Sequence, residues 1–241
     1  MKGELSVYPD ATALARAAAA HFVDVSQAAI QLNRRFNVAL SGGVTPQATY
    51  RLLATPEFSQ QIDWKHVHLF WSDERCVSPD HPDSNYGMAR AAFIAAVLIR
   101  EDNIHRILGE HDPLVAAETY EQDLRDHFRS ALPRFDLVLL GLGEDGHTAS
   151  IFPGSAAAQE TKRLALAVQH PQSNQWRVTA TLPMINAAAN VTFLVTGAGK
   201  AGSLWIVRSG ISALDEFPAS AVDPANGVLR WFCDSAAAPG S

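Results

Sequence analysis

The sequence predicts an α/β fold, with a single-domain, Rossmann-like three-layer α/β/α architecture and a mostly parallel central sheet. Short apolar runs that suit buried strands alternate with segments of helical periodicity, the pattern of a sheet covered on both faces. The length of 241 residues fits one large domain, and no linker-like stretch divides it. We therefore expect one domain over residues 1–241, with residues 235–241 as a frayed tail.

The first half of the chain shows three helical patterns and two strand patterns. Apolar residues at three- and four-residue spacing predict an amphipathic first helix. Short apolar runs predict buried parallel strands, and Ser84 is placed to cap the third helix. The predicted elements are a helix over 11–33, a strand over 36–40, a helix through 54, a strand over 67–71 and a helix over 84–98.

The second half begins with Asp112-Pro113, a helix cap followed by a proline at the first helical position. Helical periodicity then continues to Phe128. The remaining predicted elements are strands over 135–140 and 164–169, an extended segment over 177–181, a strand over 191–195, a helix over 201–209 and a strand over 228–233.

Composition and charge narrow the class of protein. A formal net charge of −6 argues against a nucleic-acid partner, which would require a basic face. The longest apolar stretches are too short to cross a membrane, and the N-terminus lacks the hydrophobic core of a secretory signal. Two cysteines cannot form a disulfide framework. We expect a cytoplasmic monomer or small homo-oligomer that binds neither nucleic acid nor membrane.

A glycine pair follows the strand over 36–40, in the segment Ser41-Gly-Gly-Val-Thr-Pro46. Thr45 is placed to cap the next helix, so that backbone amides and the helix dipole converge on an anion. A plain strand-to-helix turn is the alternative interpretation. The candidate anion-binding residues are Ser41, Gly42, Gly43 and Thr45.

Three glycines follow the strand over 135–140, in Gly141-Leu-Gly-Glu-Asp-Gly146. The pattern G-x-G-x-x-G occurs in dinucleotide-binding folds, where a helix begins at the third glycine. Only six residues separate Gly146 from Pro153-Gly154, a pair that stops a helix. The spacing therefore favours a sharp turn against a small ligand over a dinucleotide site.

His147 is the candidate for proton transfer. Histidine ordinarily has a pKa of about 6.5, which suits a general base near neutral pH. Asp145, two residues earlier, can hold the imidazole in one tautomer or position a water. A structural histidine bonded to a carbonyl is the alternative. A serine-hydrolase mechanism lacks support because the chain contains no G-x-S-x-G elbow.

Charged residues follow two further strand ends. Asp73 and Arg75, directly after the strand over 67–71, offer a carboxylate and a cation, although alone they would indicate a surface charge cluster. Lys200 can pair with a phosphate or be solvated, and Arg177 lies in a less defined segment. Open α/β sheets bind ligands beyond the carboxyl ends of their strands, so these residues predict one site.

His66 and His68 are predicted to share one strand face, where they could ligate a metal ion. No third ligand stands at a convincing spacing, so no metal site is predicted.

Taken together, these segments give the chain a resemblance to the 6-phosphogluconolactonases. The resemblance covers most of the chain in the order of the family, which makes it more specific than a single motif. It rests on Ser41-Gly-Gly-Val-Thr-Pro46, Trp71-Ser-Asp-Glu-Arg-Cys-Val77, Ser84-Asn-Tyr-Gly87, Gly141-Leu-Gly-Glu-Asp-Gly-His-Thr-Ala-Ser-Ile-Phe-Pro-Gly154, Arg177-Val-Thr-Ala-Thr-Leu-Pro183 and Phe193-Leu-Val-Thr-Gly-Ala-Gly-Lys200.

That family is similar in fold and motif layout to the glucosamine-6-phosphate deaminases, and two positions separate them. The deaminases carry a glutamate five residues after the histidine of Asp-Gly-His, where this chain has Phe152. A phenylalanine cannot relay a proton. Arg75 stands where the deaminases usually carry an aromatic residue. Both differences favour a lactonase.

The resemblance implies hydrolysis of 6-phospho-D-glucono-1,5-lactone to 6-phospho-D-gluconate in the oxidative pentose phosphate pathway, without metal or cofactor. It implies that His147 is the general base and that Asp145 and Asp73 orient the reacting groups. The implied phosphate ligands are Ser41, Gly42, Gly43, Thr45 and Lys200, helped by Arg75 or Arg177. A sugar-phosphate isomerase or deaminase and a non-catalytic sugar-phosphate sensor remain alternatives. The sensor is disfavoured because the chain shows no DNA-binding helix pair and has the wrong charge.

Overall fold

The computed structural model describes residues 1–211 and 213–238. Within those ranges the strands are β1 (Glu4–Tyr8), β2 (Phe36–Leu40), β3 (Val67–Trp71), β4 (Asp73–Arg75), β5 (Leu137–Leu140), β6 (Ala165–Gln169), β7 (Trp176–Ala180), β8 (Asn190–Val195) and β9 (Val228–Asp234). The α-helices are α1 (Ala11–Asn33), α2 (Val44–Leu53), α3 (Pro56–Ser59), α4 (Asn85–Ala92), α5 (Pro113–Phe128), α6 (Leu182–Asn186) and α7 (Ala201–Ser209).

Six strands form the central sheet in the order β1-β9-β8-β5-β2-β3, and every pairing is parallel. β5, one of the two central strands, and its neighbour β2 are buried along their whole length, as parallel strands covered on both faces must be. The prediction of an α/β fold with a mostly parallel central sheet is confirmed. The order also brings the carboxyl ends of β2, β5 and β8 side by side.

Side-chain caps explain where several helices begin, and those at Ser84 and Asp112 were predicted. Asp10 accepts a hydrogen bond from the Ala13 amide at 2.8 Å, and α1 spans the predicted 11–33. Ser84 accepts from the Gly87 amide at 3.0 Å and starts α4. Asp112 accepts from the first amides of α5. Each cap supplies an acceptor to amides that have no partner within the helix.

A second sheet, β4-β7-β6, is antiparallel and packs beside the first. The sequence pattern indicated β6 and an extended segment over 177–181, but it did not predict that residues 73–75 form a strand. Pairing of β4 with β7 sets Arg75 directly opposite Arg177. This small sheet therefore brings together two cations that are far apart in the sequence.

Other element boundaries differ from the predictions. The edge strand β1 was not predicted, because it is only partly buried and carries no continuous apolar run. The helix expected over 84–98 ends at Ala92, and a 3₁₀ turn, Ile94–Ala96, replaces its last part. The strand expected over 135–140 begins at Leu137.

The tail predicted over 235–241 lies partly outside the described residues, which end at 238. Residues 235–238 form a turn rather than a frayed segment. Ala237 is fully buried, and the Ser235 hydroxyl donates to the Pro9 carbonyl at 2.8 Å. These contacts fix the chain after β9 against the start of α1.

No helix in residues 1–211 or 213–238 combines the length and the apolar character needed to span a bilayer.

Candidate active site

A cavity of about 430 Å³ opens where β2, β5 and β8 end. Nine of the ten predicted site residues line this cavity, and Asp145 contacts the ring of one of them instead. The nine are Ser41, Gly42, Gly43, Thr45, Asp73, Arg75, His147, Arg177 and Lys200. The structure thus collects residues from five chain segments at the carboxyl edge of the sheet, as parallel topology requires.

The turn after β2 presents the N-terminus of α2 to the cavity. Gly43 is the N-cap, with φ of 105°, a backbone conformation that favours glycine. The first helical hydrogen bond runs from the Gln47 amide to the Gly43 carbonyl, so the amides of Val44 and Thr45 have no partner within α2. These amides and the helix dipole favour an anion at this end of the cavity.

Thr45 does not cap α2, contrary to the prediction. The helix begins one residue earlier than the predicted cap, at Val44, and no side chain caps it. The Thr45 hydroxyl instead lies 2.6 Å from the Thr196 hydroxyl, at the end of β8. Thr45 therefore joins two strand-end loops and still lines the cavity.

A buried polar network packs against the glycine turn. Asp73 is 5% exposed and accepts from the Ser150 hydroxyl at 2.7 Å and from the Asn85 side-chain amide at 3.2 Å. A Cβ on Gly42 would lie 1.9 Å from Asn85 Oδ1, so only glycine fits there. These contacts hold the Asp73 carboxylate in a fixed position at the cavity wall.

Arg75 and Arg177 form a cationic wall. They face each other across the β4–β7 pairing, and neither makes an ion pair with a carboxylate among the described residues. The Nε atoms of both are buried without a hydrogen-bond partner in that part of the chain. Burial lowers the pKa of Arg177 below its ordinary value. Arg75 Nη1 donates to the Asp83 carbonyl at 2.6 Å, but neither guanidinium group forms an ion pair in the described residues, and two such adjacent cations favour an anionic ligand.

His147 and Asp145 form a close pair in the turn after β5. The Nδ1 atom of His147 lies 2.6 Å from Oδ1 of Asp145, and the His147 amide donates to the same oxygen at 3.2 Å. A Cβ on Gly143 would lie 2.2 Å from that ring nitrogen, so the glycine makes room for the pair. Nδ1–H therefore donates to the carboxylate, which leaves Nε2 unprotonated for a proton from the cavity.

The Asp145 carboxyl is kept ionised by its partner. Partial burial on its own raises the pKa of this group, but the facing His147 ring and three hydrogen bonds outweigh burial and lower the pKa below its ordinary value. Asp145 is therefore an acceptor at neutral pH, and it can stabilise the imidazolium that forms when His147 takes up a proton.

The predicted absence of a helix after Gly146 is confirmed. The chain turns at Gly146, whose φ is 78°, and continues into an isolated bridge between Thr148 and Ile151. A Cβ on Gly146 would lie 2.2 Å from the Phe217 ring, so close packing explains this glycine. The three glycines shape a turn, and no helix begins at the third of them.

Phe152 packs against the His147 ring. The two ring centroids are 5.1 Å apart, and Phe152 is 1% exposed. The guanidinium carbon of Arg177 lies 5.7 Å from the centre of the same phenyl ring. The space beside the histidine is thus filled by an apolar ring that can neither accept nor donate a proton.

Lys200 reaches the cavity from the turn after β8. Its Nζ lies 4.0 Å from Glu144 Oε1, and both side chains remain partly exposed. The turn is held from below by Asp234, whose carboxylate accepts from the Gly197 amide at 3.0 and 3.1 Å. The turn therefore positions Lys200, whereas its long, partly exposed ion pair with Glu144 contributes little energy.

Three residues of the site were not assigned a role from the sequence: Asn85, Ser150 and Thr196. Asn85 and Ser150 lie inside motifs that carried the resemblance, which was a signal of their presence but not of their contacts with Asp73. Thr196 is the first residue after β8, and its position at a strand end was the available signal. Their roles depend on contacts between distant segments.

His66 and His68 do not share a strand face, contrary to the prediction. His66 ends the 3₁₀ turn Trp64–His66, is exposed and lies 2.9 Å from Asp63 Oδ2 through its Nδ1 atom. His68 lies within β3 and is half-buried. Neither lines the cavity.

The arrangement of these groups supports acid–base chemistry on a small anion. The cavity is lined by helix amides, a lysine, two arginines and an oriented imidazole. A base beside a cationic wall can activate water while the wall stabilises negative charge on a reacting oxygen.

Comparisons with known proteins identify the family and agree with the fold. Residues 9–231 match the family described as glucosamine-6-phosphate isomerases/6-phosphogluconolactonase. A 6-phosphogluconolactonase of Nostoc sp. is 42% identical over 98% of both chains, and one of Haemophilus influenzae is 37% identical over 86% of this chain and 88% of its own. The structure of 6-phosphogluconolactonase from Trypanosoma cruzi has a TM-score of 0.88 at 29% identity, covering 98% of this chain and 96% of its own. The resemblance is confirmed, and the chain belongs to the glucosamine-6-phosphate isomerase/6-phosphogluconolactonase family.

Proposed function

We propose that the chain hydrolyses 6-phospho-D-glucono-1,5-lactone to 6-phospho-D-gluconate in the oxidative pentose phosphate pathway. The curated relatives that support this activity are themselves named 6-phosphogluconolactonase. The observation that carries the mechanism is the His147–Asp145 pair, 2.6 Å apart, in a cavity that also offers helix amides and three cations. The substrate is accordingly a sugar-phosphate lactone.

In this mechanism His147 Nε2 removes a proton from a water as its oxygen bonds to the lactone carbonyl carbon. Asp145 holds the ring and stabilises the imidazolium. The tetrahedral intermediate collapses as the bond from the carbonyl carbon to the ring oxygen breaks. His147 then returns its proton to that oxygen, which becomes a hydroxyl. An ester is already reactive, so no covalent enzyme intermediate is required.

The other cavity residues bind the negatively charged groups of the substrate. Ser41, Gly42, Gly43 and Thr45 at the start of α2 bind the 6-phosphate with Lys200. Arg75 or Arg177 assists the phosphate or stabilises the oxyanion on the carbonyl. Asp73, held by Ser150 and Asn85, orients the substrate.

Metal-independent catalysis fits the residues present. Among residues 1–211 and 213–238, one group of three histidine, cysteine or acidic side chains is close enough together to hold a metal ion. This group lies outside the cavity. The base is instead supplied by His147. This proposal includes no cofactor.

A lactonase is favoured over a deaminase by Phe152. This phenyl ring fills the space 5.1 Å from the His147 ring, where an acid–base relay would need a carboxylate. The choice is tested by assaying freshly prepared lactone, with 6-phosphogluconate dehydrogenase as the reporting enzyme and a correction for spontaneous opening. Ammonia release from glucosamine 6-phosphate is measured beside it. Rapid lactone hydrolysis without ammonia supports the proposal, whereas ammonia release with only background hydrolysis contradicts it.

A further inference from the structure

Three histidines from separate segments meet beside β3, away from the cavity. His68 is on β3, His105 follows the 3₁₀ turn Glu101–Asn103, and His127 is in the last turn of α5. One ring nitrogen of each lies within 4.8 Å of the corresponding atoms of the other two. None of the three lines the cavity. We call this group the histidine cluster.

Neighbouring side chains fix the tautomers of two of the rings. His105 Nδ1 lies 3.0 Å from Asp123 Oδ2, so Nδ1–H donates and Nε2 keeps its lone pair. His127 Nε2 lies 2.7 Å from Asn37 Oδ1. The Asn37 amide nitrogen faces Asp136, which leaves its oxygen to accept from His127. His127 Nδ1 therefore also keeps its lone pair.

The spacing of the nitrogens suits a tetrahedral ion. Two imidazole nitrogens bound at about 2.0–2.1 Å to tetrahedral Zn²⁺ stand about 3.3–3.4 Å apart. His68 Nδ1 and His105 Nε2 are 3.3 Å apart. The nitrogen of the third ring lies within 4.8 Å of these two, so closure requires a movement of up to about 1.5 Å.

The charges around the three rings oppose one another. Arg35 is a nearby cation that opposes metal binding. The negative charge of the Asp123 carboxylate offsets the positive charge of Arg35. Asp123 also orients the His105 ring, in the way that a carboxylate commonly orients a metal-bound histidine.

The His105 ring is further fixed by Phe70. The two rings are stacked with centroids 4.2 Å apart and planes inclined by 3°. Phe70 and His68 are two residues apart on β3 and therefore share one face of the sheet. An apolar wall beside an oriented imidazole restricts both ring rotation and the access of water.

We propose that His68, His105 and His127 form a binding site for a divalent transition-metal ion of the zinc class, distinct from the substrate cavity. A His₃ set leaves one tetrahedral position for water. The ion joins β3, the segment after residue 103 and α5. It stabilises this corner of the fold and takes no part in lactone hydrolysis, since His68 lies three residues, or roughly 10 Å, before the cavity end of β3.

The test is isothermal titration of the full, tag-free chain with ZnCl₂ after removal of metal by a chelator. We expect one equivalent to bind in the wild type and none in His105→Gln. In Asp123→Asn the affinity is expected to fall about 10- to 100-fold, because the carboxylate behind a ligand tunes its basicity. Two matched controls, His66→Gln at the exposed histidine and His147→Ala in the cavity, are expected to keep the one equivalent.

Two results would overturn the proposal: a wild type that binds no Zn²⁺, or His105→Gln that binds it as the wild type does. Loss of binding in His147→Ala alone would place the ion at the cavity and also contradict it. Lactone hydrolysis by His105→Gln, expected to be within about threefold of wild type, shows that this variant is folded. Should that variant not fold, the wild type is titrated with Co²⁺ instead. Visible absorption that saturates at one equivalent supports an ordered site, and the absence of such absorption overturns the proposal.

Discussion

The Asp145 carboxylate determines which nitrogen of His147 is free to act. Because its Oδ1 lies 2.6 Å from Nδ1, the ring is held with Nε2 available to the cavity. Other carboxylates near the cavity are engaged differently: Asp73 is occupied by Ser150 and Asn85. At the scale of single residues, the proposed reaction therefore depends on one tautomer of one ring.

Replacing Asp145 with asparagine should lower kcat by about 10²- to 10⁴-fold, with little change in KM. An asparagine amide can donate to Nδ1, which favours the tautomer with a proton on Nε2. Steady-state lactone hydrolysis measures the effect. Asp63→Asn provides a matched control, because Asp63 faces His66 at 2.9 Å outside the cavity. A fall in the control equal to that in Asp145→Asn would contradict the assigned role.

Lys200→Ala should raise KM for the phosphorylated lactone roughly 10-fold or more and leave kcat within a few-fold. Loss of a charge-assisted hydrogen bond to the phosphate weakens ground-state binding. Lys162→Ala, an exposed lysine outside the cavity, is the control. An unchanged KM in Lys200→Ala would show that this lysine does not bind the phosphate in the ground state.

Most residues at the cavity could be predicted from sequence because each follows a strand of a parallel sheet. Ser41 and Lys200 are examples, since topology alone brings their strand ends together. The contacts that hold the site could not be predicted in this way. Thr45 was expected to cap α2 and instead meets Thr196, because the helix begins at Val44.

At the scale of elements, one carboxylate joins β4 to α4. Glu74 is 2% exposed and accepts from the backbone amides of Arg75, Asn85 and Tyr86 and from the Ser84 hydroxyl, at 2.7–3.0 Å. Burial raises the pKa of Glu74 above its ordinary value, although all four hydrogen bonds favour the charged form. Glu74 thus fixes the helix that carries Asn85.

Glu74→Ala should lower the free energy of unfolding by about 2–4 kcal/mol, because it leaves several buried donors without an acceptor. Urea unfolding measures this change. Glu110→Ala removes an ion pair with Arg106 near the surface and is expected to cost less than about 1 kcal/mol. Equal losses in the two variants would show that Glu74 has no special structural role.

Elements with strong periodicity were predicted closely, and elements defined by their pairing were not. α1 and β3 match the predicted ranges because burial imposes their apolar patterns. β4 has three residues and is a strand only because β7, about a hundred positions later, pairs with it. No local pattern marks such a strand. The predictions of one domain and of a monomer or small homo-oligomer stay predictions.

At the scale of the whole molecule, several histidines are neutral in the folded chain. Burial lowers the pKa of His21 to about 4, and burial with a neighbouring histidine does the same for His68 and His127. In the unfolded chain the pKa of histidine is near 6.5. Between these two pH values the unfolded chain binds more protons than the folded chain. The stability that these three histidines contribute is therefore fully present above about pH 6.5 and is lost as the pH falls towards 4.

We therefore expect the free energy of unfolding to decrease steadily from pH 7 to pH 5, measured with urea in the presence of a chelator. His21→Gln should reduce the slope because it removes one of the titrating groups. His66→Gln, at an exposed histidine, should leave the slope unchanged. A stability that is constant over this range would contradict the burial of neutral imidazoles.

The most direct test of the account compares lactone hydrolysis by the wild type and by His147→Ala. Binding of 6-phosphogluconate, the product, is measured beside it. We predict that kcat falls by about 10²- to 10⁴-fold while the product binds within a few-fold of wild-type affinity. A variant that keeps near-wild-type kcat would remove His147 from the reaction and contradict the proposed mechanism.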